Sequence, residues 1–80
     1  LFTHSLTASE VNWLSGNAPQ GAFRCSAKTR YSQKEAAATA QMLPDGRLQL
    51  IFEEAQRAIT AGQAVGLYDG EEVLCGATIE

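Results

Sequence analysis

No apolar stretch approaches the roughly 20 residues that a bilayer-spanning helix needs, and no basic segment leads into a hydrophobic one near the start. A cytoplasmic protein without a membrane partner is therefore expected. Cysteine is scarce: Cys25 and Cys75 are too few for a disulfide framework and lack the close spacing of a zinc site or a redox CxxC pair. The plain expectation is two half-buried thiols. The single histidine, His4, gives neither of them a nucleophilic setting, because no Asn or Asp is spaced as an orienting partner and no nucleophile motif surrounds either cysteine. Glycines stand singly, Gly62, Gly66, Gly70 and Gly76 among them, so no glycine-rich loop cradles a phosphate. Glu53-Glu54 and Glu71-Glu72 are adjacent pairs that a strand would send to opposite faces, which suits solvated acids better than paired acid–base carboxylates. No catalytic, cofactor-binding or metal-ligating residue is expected within these residues.

Acid is also missing from one place where it would be ordinary. Between Arg24 and Lys34 there are four basic side chains, Arg24, Lys28, Arg30 and Lys34, with Tyr31 among them and no Asp or Glu, although the whole chain has net charge -3. A basic stretch in an acidic chain marks a place where a polyanion docks, and RNA is the first candidate. Eighty residues, 45% of them hydrophobic and 19% charged, bound the remainder to one globular domain over residues 1–80, with a single small core and no room for a catalytic cleft beside a cofactor fold. Beginning at Leu1 without a methionine, the chain is expected to be a piece of a longer polypeptide that shares its function.

Hydrophobic periodicity is that of strands. Phe23, Cys25, Ala27, Thr29 and Tyr31 alternate with Arg24, Ser26, Lys28 and Arg30, which reads as a half-buried strand with a basic outer face. Pro44-Asp45-Gly46 joins Ala38–Leu43 to Arg47–Phe52 as a hairpin, with Leu48, Leu50 and Phe52 on one face. A second hairpin turns at Asp69-Gly70, from Val65 and Leu67 into Val73, Cys75, Ala77 and Ile79.

Two segments carry helix signals. Thr7-Ala8-Ser9-Glu10 has the capping-box pattern ahead of Val11, Trp13 and Leu14, and predicts a short helical turn near the N-terminus, with Trp13 plugging an end of the fold. Ser32-Gln33-Lys34-Glu35 has the same pattern before Ala36–Ala38. There the strand reading takes precedence, because the run is short, feeds a hairpin turn, and places Ala38, Ala40 and Met42 on one strand face. The resulting expectation is an all-β fold, a small six-stranded antiparallel β-barrel whose closure removes exposed edges.

Four ordered blocks resemble one known domain: Val11–Gly16, Phe23–Gln33, Arg57–Val65 and Tyr68-Asp69-Gly70. Together they resemble, along essentially the whole chain, the C-terminal domain of bacterial tRNA-specific 2-thiouridylase. The resemblance implies a six-stranded barrel that follows an ATP-pyrophosphatase-type catalytic domain and a small central domain. It implies that the whole enzyme uses ATP, with magnesium, to adenylate C2 of the wobble uridine, and replaces the oxygen with sulfur delivered as a persulfide. The nucleotide loop and catalytic cysteines of that family lie upstream, so Cys25 and Cys75 inherit no role. The implied partners are tRNA, the catalytic and central domains of the same chain, and a sulfur-relay protein. Some positions depart from the pattern: Ala55 and Ala61 stand where prolines are usual and would loosen two turns, Ser32 replaces a frequent arginine, and Cys75-Gly76-Ala77 occupies a common triple glycine.

The resemblance places RNA contacts at Arg30-Tyr31 and at Gln63, with Lys28 and Gln33 as neighbouring candidates. These residue types suit RNA, since arginine forks onto phosphate, tyrosine stacks on an unpaired base, and a glutamine amide both donates and accepts. Without the resemblance, Tyr31 reads as a barrel-wall aromatic, Arg24 and Lys34 as solvated charges, and Gln63 as a turn residue. A second function stands open beside RNA binding, a docking barrel whose basic strand packs on its own catalytic domain or on a sulfur-relay partner. Independent catalysis by these residues has no supporting constellation.

Overall fold

Alternation along each strand decides what fills the interior. The inward row of β4 (Leu48–Arg57) is Leu48, Leu50 and Phe52, and that of β3 (Ala36–Met42) contains Ala38 and Ala40; all five are buried. Ala27 from β2 (Phe23–Thr29), Val65 and Leu67 from β5 (Ala64–Asp69), Cys75, Ala77 and Ile79 from β6 (Glu72–Ile79) and Ala8 from β1 (Phe2–Trp13) complete the core. Small alanines facing large leucines let a narrow barrel fill without voids. The computed structural model describes residues 1–30, 34–57 and 59–80. Its strands close in the order β1-β4-β3-β2-β5-β6, every neighbouring pair antiparallel. The all-β, six-stranded antiparallel barrel expected from the sequence is therefore the fold.

The alanine run lies in a strand, as expected over its helical propensity: Ala38 pairs with Phe52 and Met42 with Leu48. Pro44-Asp45-Gly46 turns this hairpin. Gly46 has φ 90°, and the Asp45 carboxylate accepts from the Arg47 amide at 3.1 Å and from its guanidinium at 2.8 Å. That hydrogen bonding, led by the backbone amide, holds the Asp45 carboxyl below the usual carboxylate range.

The helical turn expected at Thr7–Glu10 does not form, and no helix occurs among the described residues. These residues belong to β1, which pairs with β4 through Ala8 (Thr7 with Gln49, Ala8 with Leu48) and with β6 from Ala8 to Trp13. Ladder bonds on two sides and complete burial of Ala8 outweigh the one or two bonds that a capping box supplies. Glu10 has φ 51° and lies where the β1–β6 register shifts, so a bulge bends the strand away from β4 and along β6.

Two further expectations are corrected. Alternation places Val73 in the inward row of Cys75, but a register shift after Leu67 sets it opposite Tyr68 at the barrel mouth, 42% exposed. Ala55 lies in no turn; it sits within β4, where residues 52–55 pass the single residue His4 of β1 out of register. Cys75 and Ala77 point into the core, and β6 keeps its pairing on both sides.

Candidate nucleic-acid interface

The antiparallel circuit gives the barrel two distinct ends. One carries the β1–β2, β3–β4 and β5–β6 connections; the other carries the β2–β3 and β4–β5 connections. β2 runs from the first end to the second, so its basic residues are graded along the barrel: Arg24 near the first end, Lys28 near the second, and Arg30 just beyond Thr29 at the second.

Lys28 is exposed on the outer face and pairs with Gly66 of β5. Gly66 in turn pairs with Gly76 of β6, and Gly76 with Asn12 of β1. A row across four strands therefore has side chains only at its two ends, Lys28 and Asn12, with bare backbone between them. The Tyr68 ring lies beside this strip, against the face of Gly66, while a side chain at Gly76 would meet nothing within 4 Å.

Arg30 is exposed. Because Thr29 pairs with Val65, Arg30 comes out at the same end of the barrel as the start of β5, where Gln63 stands. The Gln63 backbone is fixed: its amide donates to the Thr60 carbonyl at 3.3 Å and its carbonyl accepts from the Ile79 amide at 2.8 Å. The Gly62 amide donates to the Ile79 carbonyl at 2.7 Å, a geometry that φ 95° at Gly62 permits. The structure thus brings Lys28, Arg30 and Gln63 to one region. Tyr31 and Gln33 lie outside the described residues.

Ion pairing separates the cations further. Arg24 is bound to Glu53 across the β2–β3–β4 face, and Arg47 is held by Asp45 and Glu80. Lys28 and Lys34 form no ion pair among the described residues. Asp69, Glu71 and Glu72 gather at the first end, away from Gln63. A chain of net negative charge therefore presents its uncompensated lysines away from its densest acids.

The thiols are chemically quiet. Burial pushes the Cys25 thiol up against the opposing pull of Arg24, and burial together with the charge of Cys25 pushes Cys75 up to about 11. Both are neutral near pH 7, when neither is a nucleophile. No group of three or more His, Cys, Asp or Glu side chains among the described residues is placed to hold a metal ion, and no helix among them is long and apolar enough to cross a membrane.

Sequence reasoning missed Gly66, Gly76 and Tyr68. Counting outward from the Asp69–Glu72 pair would set Gly66 opposite Cys75; the bulge shifts the register by one and makes the two glycines meet. A bulge of this kind leaves no local mark in the sequence.

The family model for the aminomethyltransferase beta-barrel domain matches residues 3–79. The chain belongs to that family. Over 80 residues it is 46% identical to the tRNA-specific 2-thiouridylase MnmA 2 of Geobacillus kaustophilus, covering 100% of this chain and 22% of the relative. It is 44% identical over 79 residues to the tRNA-specific 2-thiouridylase MnmA of Francisella philomiragia, covering 99% of this chain and 22% of that one. With the corresponding enzyme of Xanthomonas campestris pv. campestris it shares 46% identity over 74 residues, 92% of this chain and 20% of the relative. The barrel thus spans about a fifth of the length of the curated relatives it matches, and the resemblance read from the four sequence blocks agrees with them.

Proposed function

We propose that this barrel is the C-terminal domain of a tRNA-specific 2-thiouridylase and that it grips tRNA without taking part in the chemistry. The observation that carries the reading is the convergence of exposed Lys28 and Arg30 with half-buried Gln63 at one barrel end, next to the Gly66–Gly76 strip, with the acidic turn at the other. The open face of Gly76 lets a sugar-phosphate backbone approach the sheet closely, the Tyr68 ring over Gly66 offers a stacking surface beside it, and the flanking cations meet the phosphates. Tyr31 and Gln33 belong to the same proposed surface by sequence. The parent enzyme would act in the cytosol and use ATP and magnesium in its other domains to adenylate the wobble uridine before sulfur, delivered by a relay protein as a persulfide, replaces oxygen at C2.

Gripping the anticodon region or the adjacent tRNA backbone holds the reactive base in place through two chemical steps. Across a whole enzyme, orientation of this kind supplies roughly 7–11 kcal/mol of a barrier, of which a clamp domain contributes a fraction. In the full-length enzyme, Arg30→Ala and Lys28→Ala should each weaken tRNA binding and lower the slope of log K against log salt by about one unit, the mark of a lost phosphate contact. Unchanged slopes with unchanged thiolation would overturn the reading. If the basic strand instead packs on a sibling domain, the variants would loosen that domain and leave the slope alone.

A further inference from the structure

At the barrel end remote from Gln63, the β1–β2 connection and the start of β6 enclose a cleft of about 350 Å³. Trp13, Leu14, Pro19, Val73 and Leu74 make its apolar wall and Glu72 stands at its margin. Leu14 is 62% and Val73 42% exposed, and together in one cleft they form a contiguous apolar patch rather than scattered surface residues. The wall is preformed. The Leu14 amide donates to the Leu74 carbonyl at 3.1 Å, the Gly16 amide to the Trp13 carbonyl at 3.0 Å, and the Ser15 hydroxyl to the Asn17 carbonyl at 3.0 Å.

The charge at this margin is unbalanced. Asp69 and Glu72 oppose each other directly across the β5–β6 pair with Glu71 between them in the turn, and none of the three forms an ion pair among the described residues. Like charges set opposite each other destabilise a sheet unless something cationic relieves them. Nucleic acid is repelled by such a margin. A second copy of the same face would bring acids against acids across a two-fold axis.

We infer that this cleft seats a segment from the rest of the same polypeptide, an apolar side chain flanked by lysine or arginine, so that one barrel end docks on the enzyme body and the other stays open to RNA. The inference rests on the reading that the barrel is one domain of a longer enzyme, as it is in relatives of which it covers about a fifth. An apolar anchor fills the space between Leu14 and Val73 while its basic neighbours meet Asp69 and Glu72, and the docked barrel holds Lys28 and Arg30 at a constant angle to the body.

The test is hydrogen exchange by mass spectrometry on the full-length enzyme, wild type against Glu72→Lys and Leu14→Asp. Glu72→Lys alters an exposed turn charge and leaves the core intact. The expected result is exchange faster by about tenfold in one segment outside residues 1–80 that carries Lys or Arg next to an apolar residue, with the core peptides spanning residues 36–57 unchanged and the salt slope for tRNA intact. Unchanged exchange everywhere outside residues 1–80 in both variants overturns the proposal. So does a dimer-to-monomer shift in sedimentation, which assigns the cleft to a second copy, or a lowered salt slope in Glu72→Lys, which assigns it to RNA. Failure of Arg30→Ala to change the slope would sink the tRNA-clamp reading while leaving this exchange result readable.

Discussion

A Cβ on Gly66 would stand 3.1 Å from Cε1 and 3.3 Å from the hydroxyl of Tyr68, so the tyrosine ring rests on the bare face of the glycine. The ring is held over the strip next to Lys28 because no side chain lies beneath it. Gly66→Ala should push it away and destabilise the domain by about 1–3 kcal/mol, the usual cost of overpacking. Urea denaturation measures the loss, and the near-ultraviolet circular dichroism of the tyrosines reports the displaced ring.

Arg24 and Lys28 lie on the same face of β2, yet among the described residues only Arg24 forms an ion pair, with Glu53. Arg24→Ala should therefore lower the salt slope of tRNA binding less than Lys28→Ala does, since its charge is already compensated. Both partners of that pair are exposed, so breaking it should change stability by less than about 1 kcal/mol. Equal slopes for the two variants would contradict the assignment of Lys28 to the interface.

Leu50 is completely buried between β1 and β3, paired with Leu6 on one side and Ala40 on the other. Leu50→Ala should cost about 2–5 kcal/mol, a large share of the stability of a domain this small. A drop in the urea midpoint of this region, with Ile51→Ala on the solvent face as a near-neutral control, checks it.

Cys75 has its thiol raised by burial from 9.0 to about 11. A group that keeps its proton more tightly when folded stabilises the fold below its unfolded value and loses that contribution as pH rises through the folded one. Stability should fall between pH 9 and about 11, and Cys75→Ser should not show that part of the fall. At pH 8 a thiol reagent should label Cys25, which is only half-buried, well ahead of Cys75.

Trp13 packs edge-on against Phe23, ring centroids 5.9 Å apart, and its indole Nε1 is buried with no hydrogen-bond partner among the described residues. Trp13→Phe removes that unsatisfied donor and keeps an aromatic plug. It should cost less than about 1.5 kcal/mol, against about 3 for Trp13→Ala. Thermal unfolding of the two variants separates packing from hydrogen bonding at this end of the barrel.

The inward rows were legible in the chain alone. Leu48, Leu50 and Phe52, Ala38 and Ala40, Val65 and Leu67, and Cys75, Ala77 and Ile79 follow from alternation and turn residues, because the period of a strand is a local property. Lys28 is legible as basic and outward in the same way, whereas the end of β2 at Thr29 puts Arg30 in the turn beyond the strand. That Thr7–Glu10 extends instead of coiling came from the closed barrel, since the partners that reward extension, Leu48 and Ile79, lie far along the chain. The same holds for the meeting of Gly66 with Gly76 beside Lys28 and for the exposure of Val73: one bulge and the closure of the circuit set both, and a register between distant strands is written in no single segment.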